Sequence, residues 1–203
     1  MERPDLSGAS PEILEYIEYL EGEIDRGQLK PHAAKAILES APSEPDEAPT
    51  TIQIITCTST GTAKRTPRHE YSRQRRAGMG VFDLETREND PPSILCAAEE
   101  NQTLLLLTDR GRGFRLPVSK IPGSPVRGKG SLITERLPFE PDEQVAVILP
   151  TQASGNIAMV CRNGMVRSLR HHLFGEYLKP GTAFLNGAEF GPLAAACWTP
   201  GDA

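Results

Sequence analysis

Aromatic side chains are scarce in this chain: one Trp, four Tyr and six Phe among 203 residues, or 5%. Cysteine is scarcer still, and Cys57, Cys96, Cys161 and Cys197 stand far apart, so there is no C-x-x-C metal or redox pattern. Each lies in or beside an apolar run, where cysteine serves as a small buried thiol. A reducing compartment would keep all four unpaired. No apolar run approaches the roughly 20 residues of a membrane-spanning helix. The opening Met1-Glu2-Arg3-Pro4-Asp5 lacks the basic-then-apolar pattern of an export signal, so a cytoplasmic chain with no membrane partner is expected. Catalytic patterns are missing as well: no G-x-x-x-x-G-K-[ST] loop, no H-E-x-x-H and no G-x-S-x-G. His171-His172 is the one histidine pair, and Arg167 and Arg170 just before it would repel a cation. Glu176 is the only carboxylate near it in sequence, so a solvated or phosphate-facing pair is expected rather than a metal or catalytic centre. The expectation is a protein that is not an enzyme and carries no cofactor.

Turn formers are what the chain has instead: 18 Pro and 18 Gly. With so few rings, that composition favours short strands and many turns over a helical bundle. The length suits one medium domain or two small ones. The formal net charge of −5 is spread unevenly. Residues 1–50 hold 4 Lys/Arg and 12 Asp/Glu, residues 51–180 hold 18 and 13, and residues 181–203 hold 0 and 2. The basic middle keeps a polyanionic partner open, because a local charged surface matters more than the total.

Residues 1–40 read as a small helical hairpin. Ser10 suits an N-cap and Pro11 the first helical position. Ile13, Ile17, Leu20 and Ile24 then recur along one helical face before Gly27, and a shorter, Ala-rich helix follows near Pro31–Leu38. Residues 41–50, with three prolines and three acids, cannot build a core and read as an acidic linker. Residues 51–203 form the main β domain.

From Thr51 onward the chain repeats. Gly61-Thr-Ala-Lys-Arg-Thr-Pro67, Gly111-Arg-Gly-Phe-Arg-Leu-Pro117 and Gly164-Met-Val-Arg-Ser-Leu-Arg170 each follow an apolar run and a polar turn, with their glycines 50 and 53 residues apart. A second glycine recurs at Gly80, Gly130 and Gly181, spaced 50 and 51. A third strand is expected after it, at Val81-Phe82, Leu132-Ile133 and Ala183–Leu185. A fourth is expected at Ile94–Ala97, Val145–Ile148 and Leu193–Cys197. The fold class is therefore mainly β: three propeller- or pinwheel-type four-stranded blades preceded by the helical hairpin. Propellers close with about four to eight blades. Three leave an open arc with apolar ends, which either the helices cap or a second chain covers, and a homodimer is the expected solution.

The basic residues accompany the repeat. Lys64, Arg65, Arg68, Arg73, Arg75 and Arg76 fall in the first unit, Arg110, Arg112, Arg115, Lys120, Arg127 and Lys129 in the second, and Arg162, Arg167, Arg170 and Lys179 in the third. Stacked repeats would set them around one rim, which suits a duplex bent by phosphate contacts without base reading. The densest cluster is Tyr71–Gly80, where Gly78 and Gly80 let the backbone approach a phosphate and Gln74 and the arginines supply donors and charge.

Here the sequence resembles a family. Gly61–Gly80 looks like the first blade of the C-terminal domain of the gyrase A protein, one of the two components of DNA gyrase. Gln74–Gly80 is similar to its seven-residue Gln-Arg-Arg-Gly-Gly-Lys-Gly box, agreeing at Gln74, Arg75, Arg76, Gly78 and Gly80. Ala77 replaces a glycine and Met79 the basic residue. Leu104–Pro117 and Ile157–Arg170 resemble later blades. The resemblance implies a strand-exchanged pinwheel that wraps double-stranded DNA, with no counterpart here of the breakage-reunion core. Two roles follow: a sequence-independent duplex-DNA binding and bending module, or a protein-interaction module that regulates or assembles with a type II topoisomerase.

Overall fold

The computed structural model describes Tyr19, residues 47–72 and residues 80–200. The chain divides into two compact units, Met1–Pro45 and Asp46–Ala203. The helical hairpin expected within residues 1–40 lies outside the described residues, Tyr19 excepted, and so does most of the linker. Among the described residues, no helix is long and apolar enough to cross a membrane.

The second unit is mainly β. Its strands are β1 (Ile52–Thr58), β2 (Thr62–Pro67), β3 (Leu84–Glu85), β4 (Pro92–Glu99), β5 (Thr103–Thr108), β6 (Arg112–Pro117), β7 (Gly128–Lys129), β8 (Ser131–Leu132), β9 (Val145–Pro150), β10 (Asn156–Cys161), β11 (Val166–Arg170), β12 (Thr182–Ala183) and β13 (Leu193–Thr199). One helical turn, α1 (Gly187–Phe190), is capped by the Asn186 side chain.

The repeat seen in the sequence is a repeated hairpin. Gly61, Gly111 and Gly164 adopt φ of 96°, 72° and 85°, a region that L side chains rarely enter. Each donates its N–H across the turn, to Thr58, Thr108 and Cys161, at 2.9–3.1 Å. The hairpins then pair in one register, with Ile55 opposite Arg65, Leu105 opposite Arg115 and Ala158 opposite Ser168. Each first strand also shifts register against its outer neighbour at the same repeat position, between Cys57 and Thr58, Leu107 and Thr108, and Val160 and Cys161.

Three antiparallel sheets result: β4-β1-β2-β8, β9-β5-β6-β12 and β13-β10-β11. The fourth strand of the first two comes from the repeat that follows: β8 belongs to the second repeat and β12 to the third. The third sheet has three strands. Of the expected third strands, those after Gly130 and Gly181 form one residue early, as β8 and β12. Val81-Phe82 forms no strand; the chain pairs just beyond it, where β3 runs parallel to β7.

Two cores lie between the sheets. Strand β5 is the near-continuous apolar run Thr-Leu-Leu-Leu-Leu-Thr, as suits a strand covered on both faces. Leu104 and Leu106 join Ile55, Cys57, Phe114 and Ile148 in one core; Leu105 and Leu107 join Ile157, Met159, Phe174 and Leu193 in the other. The second sheet thus sits between the other two. The thiols do not all share this burial. Cys57 and Cys161 are buried and Cys96 half-buried, but Cys197 is exposed, a correction to the buried reading. Past the register shift in β13, Ala196 and Trp198 pack on the core and Cys197, between them, faces outward. Burial pushes the Cys57 thiol up to about 12 and that of Cys96 up to about 11, which keeps both protonated.

Candidate nucleic-acid interface

The described residues on either side of the basic segment 73–79 are tied to each other. Tyr71 stands just before it and Asp83 just after it. The Tyr71 hydroxyl donates to Asp83 Oδ1 at 2.8 Å, and the Thr56 hydroxyl donates to Oδ2 at 2.6 Å. Lys64 Nζ lies 2.8 Å from Oδ1 and also donates to the Pro125 carbonyl at 2.7 Å. Burial alone would raise the Asp83 carboxyl, but the hydrogen bonds from Lys64, Thr56 and Tyr71 and the Lys64 charge bring it below its ordinary value. Burial, with the hydrogen bond to Asp83, pushes the Tyr71 phenol up to about 12, so it stays a donor. Within the segment, Arg73, Gln74, Arg75, Arg76 and Gly78 lie outside the described residues, while Gly80 sits at its exit with a φ of 78°.

Strand β3, four residues past Gly80, pairs with β7 so that Leu84 faces Gly128 and Glu85 faces Lys129. Lys129 therefore stands directly across from Glu85, five residues past Gly80. Arg127, two residues earlier, turns through a φ of 63°. Both side chains are exposed and make no hydrogen bond or ion pair with the described residues. The second repeat thus sets two exposed cations on and just before the strand that pairs with β3 of the first.

The remaining basic residues divide into two kinds. Lys64 is fully buried, and an ammonium with no exposed surface does not reach a phosphate. It replaces the buried Phe114 of the second repeat, three residues past the glycine. Arg65 and Arg115, each four past the glycine, hold the next repeat. Arg65 Nε donates to the Ile121 carbonyl at 2.9 Å and Arg115 Nη1 to the Phe174 carbonyl at 2.9 Å, both acceptors standing ten residues beyond their own repeat's glycine. Arg65 also meets Glu100 at 3.1 Å. Arg112 donates to Glu143 at 2.6 Å and to the carbonyls of Gly181 and Pro138 at 3.2 and 3.1 Å.

More exposed are Arg68, paired through two donors with Glu47, and Arg110, which donates to Glu140 at 2.6 Å and the Pro141 carbonyl at 2.7 Å. Arg167 is exposed, with one donor on the Phe184 carbonyl at 2.8 Å and its guanidinium over the Phe190 ring. Arg170 is exposed beside His171 in an open cleft of about 920 Å³ that Asn156 and Trp198 also line. The His171 and His172 rings meet edge to face at 5.9 Å.

The Lys64–Asp83 pair escaped sequence reasoning as a structural feature, yet a signal existed. Asp83 stands three residues past Gly80, where the other repeats carry Ile133 and Phe184. A carboxylate in an otherwise apolar repeat position, close to Lys64 where the second repeat buries Phe114, was the sign of this ion pair.

The model of the family described as DNA gyrase C-terminal domain, beta-propeller, matches residues 53–90 and 102–151. The gyrase A protein of Campylobacter jejuni is 30% identical over 154 residues, covering 74% of this chain and 18% of that protein. Among solved structures, the C-terminal domain of DNA topoisomerase IV aligns with a TM-score of 0.55 at 24% identity, over 75% of this chain and 46% of that one. A DNA gyrase A C-terminal domain aligns with a TM-score of 0.56 at 16% identity, over 75% of this chain and 50% of that one. The chain thus spans under a fifth of the gyrase protein it matches and about half of each solved domain. The matched repeats, residues 53–90 and 102–151, belong to the DNA gyrase C-terminal beta-propeller family.

Proposed function

We propose that this protein binds duplex DNA through phosphate contacts, without reading sequence and without catalysis, and bends it. Its three sheets act as three blades of a pinwheel, and the basic segment 73–79 is the main contact. The observation that supports the reading is the pairing of β3 with β7, which brings Lys129, and Arg127 two residues before it, to the strand that follows the basic segment, whose flanking residues Tyr71 and Asp83 are hydrogen-bonded. Exposed cations next to a glycine-containing turn suit a polyanion's backbone and carry no means of recognising base edges. The exposed Arg170 extends the contact, and Arg110 and Arg167 join it only on leaving Glu140 and the Phe184 carbonyl. Lys64, Arg65, Arg112 and Arg115 serve the fold. The kinship with gyrase C-terminal repeats supports the same reading.

Fluorescence anisotropy with a labelled duplex of arbitrary sequence tests it. Affinity should fall steeply with salt, by a slope of about 0.9 in log K per log salt for each phosphate contacted. Binding that ignores salt, or that vanishes on changing the sequence, overturns the proposal.

A second reading has its own observation: four of the repeat's basic residues are spent inside the fold. That leaves less free charge than the sequence count implies and favours a module that assembles with a type II topoisomerase. Copurification with such an enzyme, together with no affinity for DNA at low salt, selects this alternative.

A further inference from the structure

We propose that a second copy of this chain supplies the fourth strand of the third sheet, with Val81-Phe82 of one copy paired antiparallel to Met165-Val166 of the other, and the reverse, so that two chains close on each other. This goes beyond the DNA reading and does not depend on it.

The rule comes from the first two sheets. In each, the residues just past the repeat's second glycine cross to the preceding sheet. Leu132 pairs with Thr62 and Ser131 with Ala63; Ala183 pairs with Arg112 and Thr182 with Gly113. Counting from the glycines, the same register sets Phe82 opposite Met165 and Val81 opposite Val166. Donor and acceptor both exist, but neither has its partner among the described residues. Strand β11 is an open edge, and Val81-Phe82 lies in no ladder.

All four side chains are large, apolar and exposed: Val81 36%, Phe82 65%, Met165 45% and Val166 63%. An apolar open edge next to an apolar free segment is a site for strand addition. The donor is already anchored, because Leu84, two residues on, is fully buried in its own chain. The acceptor turn is open as well. A Cβ built on Gly111 would stand 2.6 Å from Leu185, and one on Gly61 would meet Thr134, whereas one on Gly164 meets nothing within 4 Å.

The sheet faces agree. The outer face of the first sheet carries Leu95, 72% exposed, beside Ile54 in an apolar hollow of about 320 Å³. The outer face of the third sheet carries Val160, 38% exposed. In a two-fold pair each copy's first sheet meets the other's third, so both faces and both edges are covered at once. The junction differs from those within the chain in one respect. Ser168 stands where Arg65 and Arg115 hold the next repeat, so strand pairing and apolar contact must hold the two copies together.

Light scattering of the full 203-residue protein, without DNA, tests the proposal. The expected molar mass is twice 22.1 kDa. Val166→Lys and, separately, Phe82→Asp should weaken the pair at least tenfold while the far-ultraviolet circular dichroism stays unchanged; the second variant decides if the first misfolds. In a Cys197→Ser background, mild oxidation of Val81→Cys/Val166→Cys should give covalent dimers, as should a mixture of the two single cysteine variants. A monomer, a dimer indifferent to both substitutions, or no cross-link overturns it. Because DNA is absent throughout, failure here leaves the DNA reading to stand or fall by its own salt titration.

Discussion

The second and third sheets are built from the same repeat, and their surroundings differ. In the second, β5 sends alternate leucines into two cores and all four strand positions are filled. In the third, β10 buries Ile157 and Met159 on one face, leaves Val160 on the other, and its hairpin partner β11 has an open edge. The lesson is that burial in this fold is conferred by the neighbouring repeat. A sheet is complete only where another repeat follows it and donates a strand. The same holds for charge. Three residues past the turn glycine, Lys64 is fully buried against Asp83, whereas Arg167 is exposed.

Truncating one side chain in each sheet should separate them most clearly. Leu106→Ala in β5 should cost about 3 kcal/mol or more, since a fully buried leucine leaves a cavity. Val160→Ala in β10, in protein dilute enough to be monomeric, should change stability by no more than about 0.5 kcal/mol. Urea denaturation measures both; equal losses would mean that the third sheet is covered on both faces.

Next comes the contrast of charges. Lys64→Met removes the buried partner of a half-buried carboxylate and should cost about 2 kcal/mol, because Asp83 keeps the hydrogen bonds from Tyr71 and Thr56 but loses its counter-charge. Arg167→Met should cost under about 1 kcal/mol by the same assay. A smaller loss follows for the repeat-to-repeat hold: Arg115→Ala should cost about 1 kcal/mol through its hydrogen bond to Phe174, while Ser168→Ala should be neutral.

Acid should act on the first sheet through Asp83. The Asp83 carboxyl is held below its ordinary value in the folded state. Its contribution is therefore fully present above the unfolded-state value of about 4 and is lost as pH falls through the lower folded value. Wild type should lose stability along that limb more steeply than Asp83→Asn, measured as urea midpoints from neutral pH downward. Parallel curves would separate Asp83 from the acid sensitivity.

Much of this was legible in the sequence. The turn glycines at a spacing of 50 and 53 marked the hairpins, and the apolar runs marked β1, β5 and β10. Spacing does not say to which sheet a short segment such as Ser131-Leu132 belongs, because its ladder partner lies about seventy residues away and no local pattern encodes that pairing. Val81-Phe82 has strand-like residues but forms no strand, since a strand needs an acceptor edge. For the candidate site, the count of basic residues was plain, but its division was not. Arg65 and Arg115 recur in register because they grip a carbonyl of the next repeat, so recurrence of a cation marked structure as readily as contact with a ligand. The free cations Arg127 and Lys129 gained their place through β7, a two-residue strand with no periodicity to read.

The central claim is that cations not spent on the fold bind DNA while the recurrent arginines hold the repeats together. The most direct test is the salt dependence of duplex binding by wild type and by Arg127→Ala/Lys129→Ala. The double variant should keep wild-type stability, bind more weakly, and show a log K against log salt slope shallower by about 1.8, or about 0.9 for each lost contact. A slope and affinity unchanged from wild type would contradict the claim.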